Sequence, residues 1–149
     1  MRGLIIDASI AVKWVVEESG TEDALALRAC PLGAPELLVA ECANILWKKV
    51  RRRELTSEEA GVAATLLERA DIELHPMRPL TAAATEMAIA LDHPAYDCLY
   101  LALAKARGLR FVTADRRLIG GVAEDRSGRF AGLVLSLAEA AAAIRAAEA

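Results

Sequence analysis

The sequence predicts a single α/β domain in which helices cover both faces of a central parallel sheet. Two observations lead there. Short apolar runs of strand length, such as "GLII" at residues 3–6 and "LRFV" at 109–112, alternate along the chain with helix-patterned stretches. Strands separated by helices are joined by crossovers rather than tight hairpins, so they run parallel and both sheet faces are covered. The 149 residues suit one such unit, and no linker, repeat or second core divides residues 1–149.

Taken in order, the first strand is 3–6, followed by a helical stretch at 8–17 that is rich in apolar residues. The "ESGT" break places Thr21 to cap a second helix at 21–29. A weaker strand is expected near 32–34. Pro35 is suited to the first helical position of "PELLVAECANILWKKVRRRE". A capping box, Thr56 or Ser57 with Glu58 or Glu59, opens the helix "TSEEAGVAATLLERA". "IELH" at 72–75 reads as a strand. Pro79 and Pro94 precede helices over about 80–91 and 95–107, the latter ended by Gly108. After the strand at 109–112, Gly120-Gly121 reads as a helix end. A strand at 132–135 and a helix from about 137 to 147 finish the chain.

Composition narrows the function classes. At 55% hydrophobic and 26% charged the chain is globular, not disordered. Cys30, Cys42 and Cys98 are an odd set without a C-x-x-C pair, which points to a reduced, cytoplasmic protein. Asp7 and Lys13 interrupt the N-terminal apolar stretch against a signal peptide, and Glu139 and Arg145 interrupt the C-terminal one against a membrane span. The net charge of −3 does not exclude a polyanion. Setting aside four acids that bind cations turns it into +1.

The acids carry the chemistry. Asp7 ends "GLIID" and Asp115 follows "LRFVTA", so both emerge at the carboxyl edge of the sheet, where ligands of such sheets gather. Each is also a good N-cap for the helix that follows. Asp97 stands in the first turns of a helix apolar on nearly every face, at the mouth of the core. Glu41 lies between Val39, Ala40, Cys42 and Ala43, too far from Pro35 to cap. An ionised glutamate there needs a partner, a metal or a route to the surface. Asn44 shares its helical face. Four acids brought together would repel one another, and a divalent cation resolves the conflict. An all-oxygen set favours Mg²⁺ or Mn²⁺ over Zn²⁺. Cys42 and Cys98 are read as core, and His75 and His93 have no zinc-ligand spacing with any cysteine; His93 belongs to the loop before Pro94. The basic residues Lys48, Lys49 and Arg51 to Arg53, and Arg116 beside Asp115, are candidate phosphate contacts. Trp14, Trp47, Tyr96 and Tyr100 all lie in apolar helical contexts, so no base-stacking platform is expected.

The motifs "IIDASIAVKW", "PELLVAECANILWK", "YDCLYLALAKARG" and "FVTADRRL" together resemble a PIN domain, specifically the VapC-type ribonuclease toxin of toxin–antitoxin pairs. Their order and separations match over nearly the whole chain. The resemblance implies a Rossmann-like sheet and a metal-dependent endoribonuclease. It assigns the acidic ligands to Asp7, Glu41, Asp97 and Asp115, and places Ser9, Thr113 and Asn44 beside them. It further implies one or two Mg²⁺ or Mn²⁺ ions. From the basic clusters, Lys48, Arg52 and Arg116 are the candidate substrate contacts. The implied partners are an RNA substrate, a VapB-like antitoxin and a second copy of the chain. Two alternatives stay open: an inactive PIN-fold interaction module, and an RNA-processing nuclease without antitoxin. Receiver, haloacid dehalogenase and phosphate-loop readings fail, because paired acids, D-x-D and Gly-rich phosphate loops are missing.

Overall fold

A computed structural model describes residues 2–149. Five strands form one parallel sheet: β1 (Leu4–Ile6), β2 (Leu32–Pro35), β3 (Glu73–His75), β4 (Arg110–Thr113) and β5 (Val134–Ser136). Their spatial order is β3-β2-β1-β4-β5. The weak second strand is therefore a full member, seated between β1 and β3. β1 pairs with β4 so that Ile6 lies opposite Val112. Connections leave β1 toward β2 on one side and reach β4 on the other, which makes the β1–β4 boundary the switch point where a crevice opens.

The helices are α1 (Ala8–Ala11), α2 (Thr21–Ala26), α3 (Leu37–Arg51), α4 (Ser57–Glu68), α5 (Thr81–Leu91), α6 (Ala95–Arg107), α7 (Arg116–Glu124) and α8 (Leu137–Glu148). α6 packs on β1, β2 and β4 and is covered by α5. Cys98, Tyr100, Leu101, Ala102, Leu103 and Ala104 are consequently all buried, as a helix apolar on most faces requires. The Tyr100 ring stacks on Phe111, with centroids 5.2 Å apart and planes 13° apart. Burying side chains such as Phe111, Leu101 and Ile6 contributes roughly 1.5–3 kcal/mol each. Gly108 ends α6 at φ 65°, a left-handed turn that a Cβ would strain.

Several local expectations are corrected. The stretch 8–17 is α1 followed by a 3-10 turn at Val12–Trp14. Likewise 21–29 tightens into a 3-10 turn after Ala26. Gly20, not Thr21, is the N-cap of α2; the Thr21 hydroxyl instead accepts from Glu18 N. Pro35 closes β2 opposite His75, and α3 begins two residues later, at Leu37. Pro35 disfavours helical backbone at Ala34, so extended chain runs up to it. The Thr56–Glu59 capping box forms as expected. Gly120 and Gly121 do not end a helix. α7 runs through both to Glu124.

Candidate active site

The candidate site is built at the switch point. Asp7 directly follows β1 and caps α1 by accepting from Ile10 N at 3.3 Å. Its two oxygens take hydroxyl protons from opposite sides: Ser9 Oγ donates to Oδ1 at 2.5 Å and Thr113 Oγ1 to Oδ2 at 2.6 Å. Thr113 is the fully buried last residue of β4, and the β1–β4 register carries it to Asp7. Thr113 Oγ1 also accepts from Asp115 N at 3.0 Å, and Ala114 N donates to Ser9 Oγ at 3.4 Å. One hydroxyl network thus ties the ends of the two central strands together.

Asp115 caps α7, its Oδ1 accepting from Arg117 N and Leu118 N at 2.9 and 3.3 Å, so only part of the carboxylate is committed to capping. Asp97, in the first turn of α6, brings a carboxylate oxygen within 4.8 Å of one from Asp115. Glu41 projects from the middle of α3, and its Oε1 accepts from Tyr100 OH at 2.5 Å. Tyr100 stands three residues beyond Asp97 on α6, so this bond brings the α3 acid toward the α6 acid.

Electrostatics mark the strain of this gathering. Burial pushes the Asp7 carboxyl from its ordinary 3.8 up to about 6, against the hydrogen bonds from Ser9, Thr113 and Ile10, and Glu41 adds repulsion. Glu41 is also raised, by burial and by the Asp97 charge, with the Tyr100 hydroxyl opposing. For Asp97, burial and the neighbouring Asp115 carboxyl push the value up, while His93 pulls it down. Asp115 is lowered: burial acts upward, but the Asp97 carboxyl, the Leu118 and Arg117 amides and His93 outweigh it. Three of four acids resist ionising in their own company, and a divalent cation among them would relieve the repulsion. The Cys42 and Cys98 thiols are buried and pushed up to about 12 and about 11, so neither is poised as a thiolate ligand.

His93 is the residue that sequence reasoning missed. It does lie in the loop before Pro94, but its buried ring points into the site, with Nε2 2.6 Å from Asp97 Oδ2 and 4.0 Å from Asp115 Oδ2. His93, Asp97 and Asp115 each offer a ligand atom within 4.8 Å of the others. The i,i+4 spacing to Asp97 was the available signal. Tyr100 was read only as apolar packing, yet its hydroxyl serves Glu41.

Other expected residues are placed less centrally. Asn44 is exposed, and among the described residues no hydrogen bond ties its side chain to the acids. Lys48, on α3, and Arg52, its C-cap, are exposed, at about 10 and 16 Å of helical rise beyond Glu41. Their neighbour Lys49 is engaged in an ion pair with Glu18 at 2.6 Å. Arg116, exposed, lines a cleft of about 370 Å³ with His93, Arg117 and Gly120. The expectation about aromatics is corrected in part: Tyr100 is buried and Trp14 half-buried, but Trp47 is 52% and Tyr96 66% exposed. Trp47 carries the Arg51 guanidinium over its ring, and Tyr96 adjoins Asp97. Among the described residues no helix is long and apolar enough to cross a membrane.

The PIN domain family model matches residues 4–122. Ribonuclease VapC3 of Pyrobaculum aerophilum is 33% identical over 122 residues, which cover 77% of this chain and 91% of that protein. The structure of PAE2754 from the same organism superposes with a TM-score of 0.72 at 20% identity, covering 97% of this chain and 90% of that one. VapBC2 from Rickettsia felis, bound to a DNA fragment from its promoter, gives 0.60 at 14% identity, over 90% of this chain and 98% of that one. The five-stranded parallel sheet, the match over residues 4–122 and the relative at 33% identity agree: the chain belongs to the PIN domain family, and within it to the VapC type.

Proposed function

We propose that this chain is a Mg²⁺- or Mn²⁺-dependent endoribonuclease, the toxin of a VapBC-type pair, working in the cytoplasm as a homodimer held inactive by a VapB-like antitoxin. The convergence of Asp7, Glu41, Asp97 and Asp115 at the carboxyl edge of the sheet carries the reading. These four would hold one or two ions, and the donor set fits: carboxylate oxygens dominate it, and three of the four are raised toward neutrality by burial and by one another. A divalent cation held by these residues would supply Lewis acidity toward water and toward the charge that develops on the scissile phosphate.

The chain's own residues do the rest. Ser9 and Thr113 fix the Asp7 carboxylate from both sides, and Tyr100 fixes Glu41, so that each acid is held in one orientation. Arg116, first in α7 and next to Asp115, is placed to hold a phosphate of the RNA. Tyr96, exposed beside Asp97, offers a face on which a single-stranded base can stack. The antitoxin and the second copy are proposed from the family relationship.

The decisive test is cleavage of total cellular RNA by the purified protein with Mg²⁺ or Mn²⁺, with EDTA and Asp97→Asn as controls. Discrete cleavage lost in both controls is expected. Metal binding without cleavage of any RNA offered would sink the nuclease reading and leave a PIN-fold interaction module. A short upstream reading frame whose product co-purifies with the chain is the expected sign of an antitoxin; its absence would return the protein to RNA processing.

A further inference from the structure

We infer that His93 is a positioning residue of the cation site: its ring holds one oxygen of Asp97 so that the other is presented to the metal. The inference rests on reading the acid cluster as a metal centre.

Backbone devices on either side aim the ring. Asp92 ends α5 in the left-handed region at φ 48°, and His93 N then donates to Ala88 O at 3.1 Å, pinning the chain as it leaves the helix. Pro94 follows as the N-cap of α6 at φ −53°, which confines His93 to extended backbone. The ring is thereby turned back toward the first turn of α6, with 6% of the side chain exposed. A rotamer-rich residue held this way at a helix junction loses its freedom before any ligand arrives.

The contact itself selects between roles. A separation of 2.6 Å between Nε2 and Asp97 Oδ2 is that of a charge-assisted hydrogen bond, with the ring as donor. The proton is placed on Nε2 because the carboxylate there is an acceptor. A nitrogen that donates to Asp97 has no lone pair left for a metal, so His93 acts through Asp97 and not beside it. Carboxylates that bind metals are commonly held by such partners, and losing one typically weakens metal binding 10–100-fold. Asp97 depends on this support more than Asp7 or Asp115 does. Asp7 has three donors and Asp115 two backbone amides, whereas among the described residues His93 is the nitrogen donor to Asp97.

The experiment titrates Mn²⁺ into wild type, His93→Ala and His93→Gln by calorimetry, with circular dichroism to check the fold. Glutamine can place an N–H donor near the position of Nε2. We expect the dissociation constant of His93→Ala to rise about 10–100-fold, and that of His93→Gln to stay within about threefold of wild type. Unchanged Mn²⁺ affinity in His93→Ala, beside a wild type that binds, would overturn this inference alone. Glutamine as poor as alanine would overturn the donor role. So would ¹⁴N coupling to Mn²⁺ in pulsed EPR of the wild type that His93→Gln lacks, since it would make the ring a ligand. A wild type that binds no Mn²⁺ would overturn both this inference and the metal-centre reading.

Discussion

Replacing Asp7 with asparagine should stabilise the metal-free protein while abolishing its chemistry. Burial lifts the Asp7 carboxyl from 3.8 to about 6, which corresponds to about 3 kcal/mol at about 1.4 kcal/mol per tenfold. The sign follows from linkage. The native state binds this proton more tightly than the unfolded chain, so the associated stability is fully present below pH 3.8 and lost as pH rises through about 6. At pH 7.5 the wild type without metal therefore carries a buried, disfavoured charge. Asparagine removes that charge, but one of the two hydroxyls that now donate to Asp7 must turn to accept, at a cost of about 1 kcal/mol. The net gain is about 2 kcal/mol, or roughly 4–8 °C in Tm for a chain of this size. Thermal and urea denaturation in EDTA at pH 4 and pH 7.5 measure it. The gap between variant and wild type should be small at pH 4, open as pH rises through 6 and level off above 7. Saturating Mn²⁺ should close it again by stabilising the wild type alone, by about 2.7 kcal/mol at a hundred times its dissociation constant. An Asp7→Asn protein less stable than wild type at pH 7.5 in EDTA, or a gap that ignores pH, would refute the assignment of Asp7 as an uncompensated charge.

Three further outcomes follow from the same structure. Tyr100→Phe leaves Glu41 without its hydroxyl donor while keeping the ring stacked on Phe111; stability should fall by about 1–2 kcal/mol, and Mn²⁺ affinity, read by calorimetry, should weaken with it. Gly120→Ala and Gly121→Ala place a Cβ where nothing lies within 4 Å, in helical backbone; each should raise stability in urea by about 0.5–1 kcal/mol. Arg116→Ala should weaken binding of a single-stranded RNA to cleavage-dead Asp97→Asn protein and make log K against log salt shallower by about 0.7. Arg52→Ala, some 16 Å along α3 from Glu41 by helical rise, should do less; the reverse order would move the RNA path to α3.

The class of fold, most element positions and the four acids could be read from the chain alone, because those signals are local. Strand length, helix period, the Thr56–Glu59 box and the Gly108 stop depend on residues a few positions apart. Asp7 and Asp115 were legible as strand-end acids for the same reason. Glu41 stood out as a charge among apolar neighbours, but its grouping with the other acids came from motif resemblance, since no local pattern says which way a mid-helix glutamate turns.

Contacts across large separations were beyond that reach. Thr113 reaches Asp7 across 106 positions and Tyr100 reaches Glu41 across 59, and both depend on strand order and on how α3 and α6 lie over the sheet. Lys49 looked like a free cation until Glu18 closed on it from 31 positions away. His93 was the intermediate case. Its partner is four residues off, but only the left-handed turn at Asp92 and the proline after it aim the ring inward. Periodicity tells a residue which face of its own element it occupies. What stands opposite that face is set by the packing of elements distant in sequence, and there the acids, their hydroxyl donors and the imidazole become one site.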